Sequence, residues 1–153
     1  MANTNFVDGT YNLGTDISIT VLDNDTNAPI SLAGRLVSFK ADPKIAEVIS
    51  TPIDNSGYVQ HRTVPQGWTG TITIDRAQGD LDSLQALMES NFYATGAQKY
   101  FTIGQSTRNQ NNKQVDSYNF LFCTMNMETS GEYKAADKVV VTLKFSAQQR
   151  IPG

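Results

Sequence analysis

The sequence has 153 residues, of which 18% are charged, with a formal net charge of −3 and one histidine. That length bounds the chain to one domain, residues 1–153, with room for a real core. The charge argues against a nucleic-acid grip, which needs a clustered basic face; only Lys40 with Lys44, and Lys134 with Lys138, come close together. The lone Cys123 excludes an intrachain disulfide, and in an apolar strand it is expected to be a buried, inert thiol. No run approaches a membrane span, and the polar start MANTNFVDGTYNLG shows no apolar signal segment, so synthesis in the cytoplasm is expected.

In chain order, residues 1–14 are rich in Asn, Thr and Gly and read as an arm. Phe6, Val7, Tyr11 and Leu13 are too many apolar side chains for a plain tail, so the arm is expected to dock. Ile17, Ile19 and Val21 alternate with Ser18 and Thr20, the period of a strand. The run Asp23-Asn24-Asp25-Thr26-Asn27 faintly resembles the start of a calcium loop. Ala28 and Gly34 stand where such a loop needs Gly and Glu, so a polar turn accounts for it better. A strand follows over 35–41. Residues 42–56 then form an apolar stretch bounded by Pro43 and Gly57, expected to project as a hairpin or long loop. A loop carrying Ile45, Val48, Ile49 and Ile53 does not belong in water; it either folds back onto its own domain or packs on a neighbouring chain, the neighbour being favoured.

Residues 57–93 organise the rest. Val64-Pro65-Gln66-Gly67 fits a type I turn between two strands. Trp68, Ile72 and Ile74 then face one way, while Thr69, Thr71, Thr73 and Asp75 face the other. Gly70 on the apolar face marks a bend or a close backbone approach. A helix is expected over about 80–94. Asp80 or Asp82 suits its N-terminus, Leu81, Leu84, Leu87, Met88 and Phe92 form its apolar stripe, and Gly96 stops it. Gln85, Glu89 and Asn91 lie off that stripe.

Beyond the helix, 100–105 reads as a strand and 107–113 as a polar hairpin loop. In the long strand 115–127, Tyr118, Phe120 and Phe122 take one face. Val115, Leu121, Cys123, Met125 and Met127 take the other, so both faces are expected to be covered in part. The strand 138–147 turns Val139, Val141, Leu143 and Phe145 inward, and 148–153 is a short tail. The sum is about seven strands with the helix after the fifth: a mainly β fold, an antiparallel sandwich or barrel with one flanking helix.

No catalytic constellation emerges. His61 is the one histidine, no Gly-x-Ser-x-Gly elbow occurs, and one His with one Cys makes a poor zinc set. No phosphate loop or dinucleotide fingerprint is present. No enzyme, no cofactor and no metal is the expectation.

The order of elements resembles the tail tube proteins of contractile-tailed bacteriophages and phage-tail-like particles. The residues that carry the resemblance are Gly57-Tyr58-Val59, then Gly67-Trp68-Thr69-Gly70 leading into Ile72-Thr73-Ile74-Asp75-Arg76. The helix from Asp80 to Tyr93, the strand at Tyr118-Asn119-Phe120, and Tyr133-Lys134-Ala135-Ala136-Asp137-Lys138 before the closing Phe145-Ser146-Ala147 complete it. The resemblance implies hexameric rings whose inner strands join edge to edge and stack into a hollow tail tube. DNA would transit the tube without specific binding. It implies the chain itself, a tail sheath, a baseplate and a tail terminator as partners, and a place in the tail of a virion. Phe6, Val7, Tyr11, Ile45, Val48, Ile49 and Ile53 would then make contacts between subunits and rings. A secretion-system tube of similar fold is the alternative. A monomeric sandwich binding module, with Trp68, Tyr93 or Tyr100 as an aromatic platform, is a further one.

Overall fold

A computed structural model describes residues 11–30, 35–77, 80–111 and 113–153. Phe6 and Val7 lie outside the described residues. The described elements run β1 (Ile17–Asp23), β2 (Pro29–Ile30), β3 (Leu36–Ser50), β4 (Gln60–Asp75), α1 (Asp80–Thr95), β5 (Phe101–Arg108), β6 (Val115–Thr129), β7 (Val140–Ala147) and β8 (Gln149–Pro152). The strands pair in the order β2-β1-β5-β6-β7-β4-β3, all antiparallel, and β8 pairs with β6 beyond the end of β7. The expected mainly β architecture with one flanking helix is the observed one.

The alternation read from the sequence sets the core. Ile19 and Val21 from β1, Ile72 and Ile74 from β4, Phe101 and Ile103 from β5, and Val141, Leu143 and Phe145 from β7 are all buried. Phe120 is the hub, with its ring against Phe39, Trp68 and Phe145 at centroid separations of 6.1, 5.8 and 5.6 Å. Phe39 stacks on Phe145 at 5.7 Å. Gly70 lies directly beneath: a Cβ there would collide with the Lys40 carbonyl oxygen and come within 2.7 Å of the Phe145 ring. The close approach expected at Gly70 is therefore real, and it is what lets β3, β4 and β7 pack around these rings.

Three readings are corrected by strand pairing. Val64-Pro65-Gln66-Gly67 is not a turn. β4 runs through it, and Pro43↔Trp68 followed by Ile45↔Pro65 leaves Gln66 and Gly67 opposite Lys44 alone. That is a β-bulge, with Gly67 at φ +87° against the Ala147 carbonyl. Residues read as two strands are thus one, and the helix follows the fourth strand. Second, the faces of β6 do not alternate throughout. Phe101↔Cys123 and Ile103↔Phe120 leave Leu121 and Phe122 opposite Thr102, with Phe122 at φ +50°. The extra residue switches the parity, so Phe120, Cys123 and Met125 all point into the core and Phe122 points out. At this bulge β6 passes from pairing β5 to pairing β7, and the sheet turns a corner. Third, the closing tail is a strand: Tyr118↔Pro152 through Leu121↔Gln149 make it β8.

Among the described residues β1 and β3 do not pair, and a cleft of about 730 Å³ opens between them, lined by Ile17, Leu36, Val37 and Phe39. Among the described residues the barrel is open along this seam. Helix α1 covers one end of the sandwich, with Leu81 fully in the core and Leu84 and Met88 against it. Asp82 sits in its first turn and accepts from Arg76 Nη2 at 2.9 Å, which suits the positive end of a helix. Leu87 and Phe92, expected in the buried stripe, are exposed, whereas Gln85 is half-buried and its Oε1 accepts from the Met127 amide at 3.3 Å. The outer half of the helix has outrun the sheet beneath it.

Candidate assembly surfaces

The stretch expected to project is the outer half of the β3–β4 hairpin. β7 pairs with β4 only from Trp68 to Asp75, so beyond the bulge the two strands have only each other, from Ile45↔Pro65 to Ser50↔Gln60. A short 3-10 turn, Ile53–Asn55, and left-handed Ser56 and Gly57 close the tip. Residues paired directly across an antiparallel ladder share a face. One face therefore carries Ile45, Ile49 and Pro65 with Glu47 and His61, whose side chains hydrogen-bond each other. The opposite face carries Ala46, Val48 and Val64 with Arg62. Both faces are apolar and both are exposed, and Ile53 at the tip is 99% exposed.

A two-stranded ribbon is marginally stable in water on its own. Each large aliphatic side chain taken fully out of water contributes about 1.5–3 kcal/mol. Ile45, Val48, Ile49, Ile53 and Val64 together thus leave a substantial apolar area in water. Of the named candidates, Ile45, Val48, Ile49 and Ile53 gather on this one arm, though on both of its faces. Tyr11 does not join them: it is 73% exposed beside the β5–β6 loop, where its carbonyl accepts from Asn109 Nδ2 at 3.2 Å.

A second exposed strip lies on α1, where Phe92 and Tyr93 stand out with their rings 5.8 Å apart, Tyr93 being 82% exposed. A cleft of about 200 Å³ runs beside them, between the helix and β6. The stripe reading missed this surface because helical period marks an apolar face without saying how far its cover extends. The other aromatic candidates are engaged. Trp68 is half-buried under the Arg150 guanidinium, 3.9 Å from its ring centroid, with Tyr118 on the other side at 4.2 Å. Tyr100 meets Phe122 edge to face.

Asp23 and Lys99 form an ion pair within the fold. Lys99, 8% exposed, reaches Asp23 at 2.7 Å and Asp25 at 3.6 Å. Burial works against the Asp23 carboxylate, but the Lys99 ammonium and the Asp25 amide hold its pKa below the ordinary value. The Asp23 hydrogen bond raises the pKa of Lys99. The acids of the faint calcium motif are therefore spent on a lysine and a turn. Cys123 is fully buried, and desolvation pushes its thiol up to about 11. Among the described residues no three His, Cys, Asp or Glu gather as a metal set.

No family model matches the sequence, and no curated protein matches it. Solved structures do. A chain of the anti-feeding prophage cap, the AFP tube-terminating cap, superposes with a TM-score of 0.65 at 17% identity, covering 100% of this chain and 99% of that one. A chain of the PVC sheath–tube complex, an extracellular contractile injection system in its extended state, gives 0.63 at 14% identity, with coverage of 100% and 99%. The SPP1 tail tube gives 0.56 at 13% identity, covering 94% of this chain and 79% of that one.

The chain has the tail-tube fold. The tail-tube likeness extends over the whole chain, so it takes in the hairpin arm and the helix as well as the sandwich.

Proposed function

We propose that this protein is a structural subunit of a tail tube, without enzymatic activity, whose copies close into hexameric rings that stack into a hollow conduit. The carrying observation is the arm: an exposed ribbon, apolar on both faces, attached to a domain whose whole length has the tail-tube fold. Ile45, Val48, Ile49 and Ile53 are its contact residues, and Tyr11, with Phe6 and Val7, belongs to a second contact at the N-terminal arm. Ring closure is a heterologous contact that returns on itself, and ring stacking is one that does not. Rings would also remove the open seam between β1 and β3 as a free edge.

In this reading the tube stands in the tail of a virion or a related particle, with sheath, baseplate and terminator as partners. DNA passes through it during ejection. The net charge of −3 per copy favours transit over retention, because binding to DNA depends on cations that release its counterions. A protein-conducting tube is the second reading, favoured by the likeness to chains from contractile injection systems.

Negative-stain electron microscopy of purified protein across a concentration series, with and without a nucleating tail fraction, tests the class. Rings or hollow rods with a central bore are expected. A monomer under every condition would refute the tube.

A further inference from the structure

We propose that the Arg62 face of the hairpin arm docks on the exposed edge of helix α1 in a second copy of this chain. The inference rests on the tube reading and adds which two surfaces meet. Val48↔Arg62 is one directly paired row of the arm, and Val64 belongs to the next row on the same face. Val48 and Val64 are exposed, and among the described residues Arg62 makes no ion pair. The helix edge is the opposite in charge and alike in polarity. Phe92 and Tyr93 are its apolar part, and Glu89 lies one turn back, oriented by Gln85 Nε2 at 3.1 Å. Glu89, Phe92 and Tyr93 border the cleft of about 200 Å³ against β6, room for an aliphatic side chain such as Val48.

The match is therefore twofold. The aliphatic pair meets an exposed aromatic edge beside a cleft, and Arg62 meets the Glu89 carboxylate, while Lys99, which also lines the cleft, is paired with Asp23. Burying an arginine is tolerable only beside such an acid. The arm's side chains are exposed and lie outside the core cluster that holds α1, so the helix proposed to receive them is that of another copy. Because the two surfaces differ and every copy carries both, each copy gives one contact and receives one, as a chain of heterologous contacts requires. The Ile45 and Ile49 face is not used in this contact.

Charge exchange is the test. Arg62→Glu alone and Glu89→Arg alone should each lower the assembled fraction by about tenfold or more at fixed concentration, and the double exchange should recover most of it. A complementary measurement mixes two separately purified variants, Val48→Cys and Tyr93→Cys, under diamide. A disulfide-linked dimer should form only in the mixture, because Cys123 is buried and unreactive. Particles that assemble while ignoring both charge changes would overturn the contact. So would a Tyr93→Cys thiol that stays fully open to maleimide in assembled particles, which would leave the helix edge to a different protein. Failure of the unsubstituted chain to assemble at all would instead sink the tube reading, and this contact with it.

Discussion

Lys99 and Asp23 form a largely buried ion pair tying the segment after the helix to the end of β1. Removing one partner of such a pair leaves the other charged and buried. Lys99→Met should cost about 1–3 kcal/mol, read as a lower urea midpoint with unchanged slope. The pH dependence follows from the directions of the shifts. Asp23 titrates below its ordinary 3.8 when folded, so its contribution is complete above about 3.8 and is lost as pH falls through the lower folded value. Lys99 titrates above 10.5 when folded, so its contribution is intact below that and is lost as pH rises through the folded value. Urea melts of wild type and Asp23→Asn between pH 2 and 6 should converge at the acid end and separate above it. Gly70→Ala is the second residue-scale prediction. The added methyl meets backbone on one side and the Phe145 ring on the other, so a loss of about 1–3 kcal/mol is expected in the same melt.

At the scale of elements, the arm is expected, on the tube proposal, to serve assembly rather than folding. Its side chains beyond the bulge touch nothing in their own domain's core. Ile45→Ser with Ile49→Ser should leave the thermal midpoint of the isolated subunit nearly unchanged, since exposed substitutions shift stability by about 0.5 kcal/mol or less. The same pair should abolish higher assemblies in sedimentation velocity. A large fall in the midpoint would instead mean that the arm folds back onto its own domain. The elements also show why some of the chain was readable. Helix α1 was legible because Leu81, Leu84 and Met88 recur at a period local to the segment itself. β1, β5 and β7 were legible by alternation. The bulges at Gly67 and Phe122 were not, because a bulge is a mismatch of length between partners. Pro65 and Gly67 carry the residue chemistry of a turn and also of a bulge, and only the pairing with Lys44 decides between them.

For the whole molecule, the tube reading makes a statement about cargo. A conduit of acidic subunits should let DNA pass without holding it. In a gel-shift assay at about 0.15 M salt, assembled particles should not retard linear duplex DNA, and lowering the salt should add little. Tight, salt-sensitive retention would point to a basic bore and against an ejection channel.

Within the chain, composition and local period determined the class of fold, the place of the helix, and that residues 42–56 carry more apolar side chains than a plain loop. Each of these depends on neighbours in sequence, whose side chains are set on one face or the other by the geometry of a single element. Tertiary structure alone decided that Asp23 finds Lys99, that Arg150 covers Trp68, and that Phe120, Cys123 and Met125 share one side of a strand. It alone showed that the arm is apolar on both faces and that the helix overhangs its sheet. These depend on which strand lies beside which and in what register. Register is fixed by the burial of distant partners together, and no window of sequence contains it.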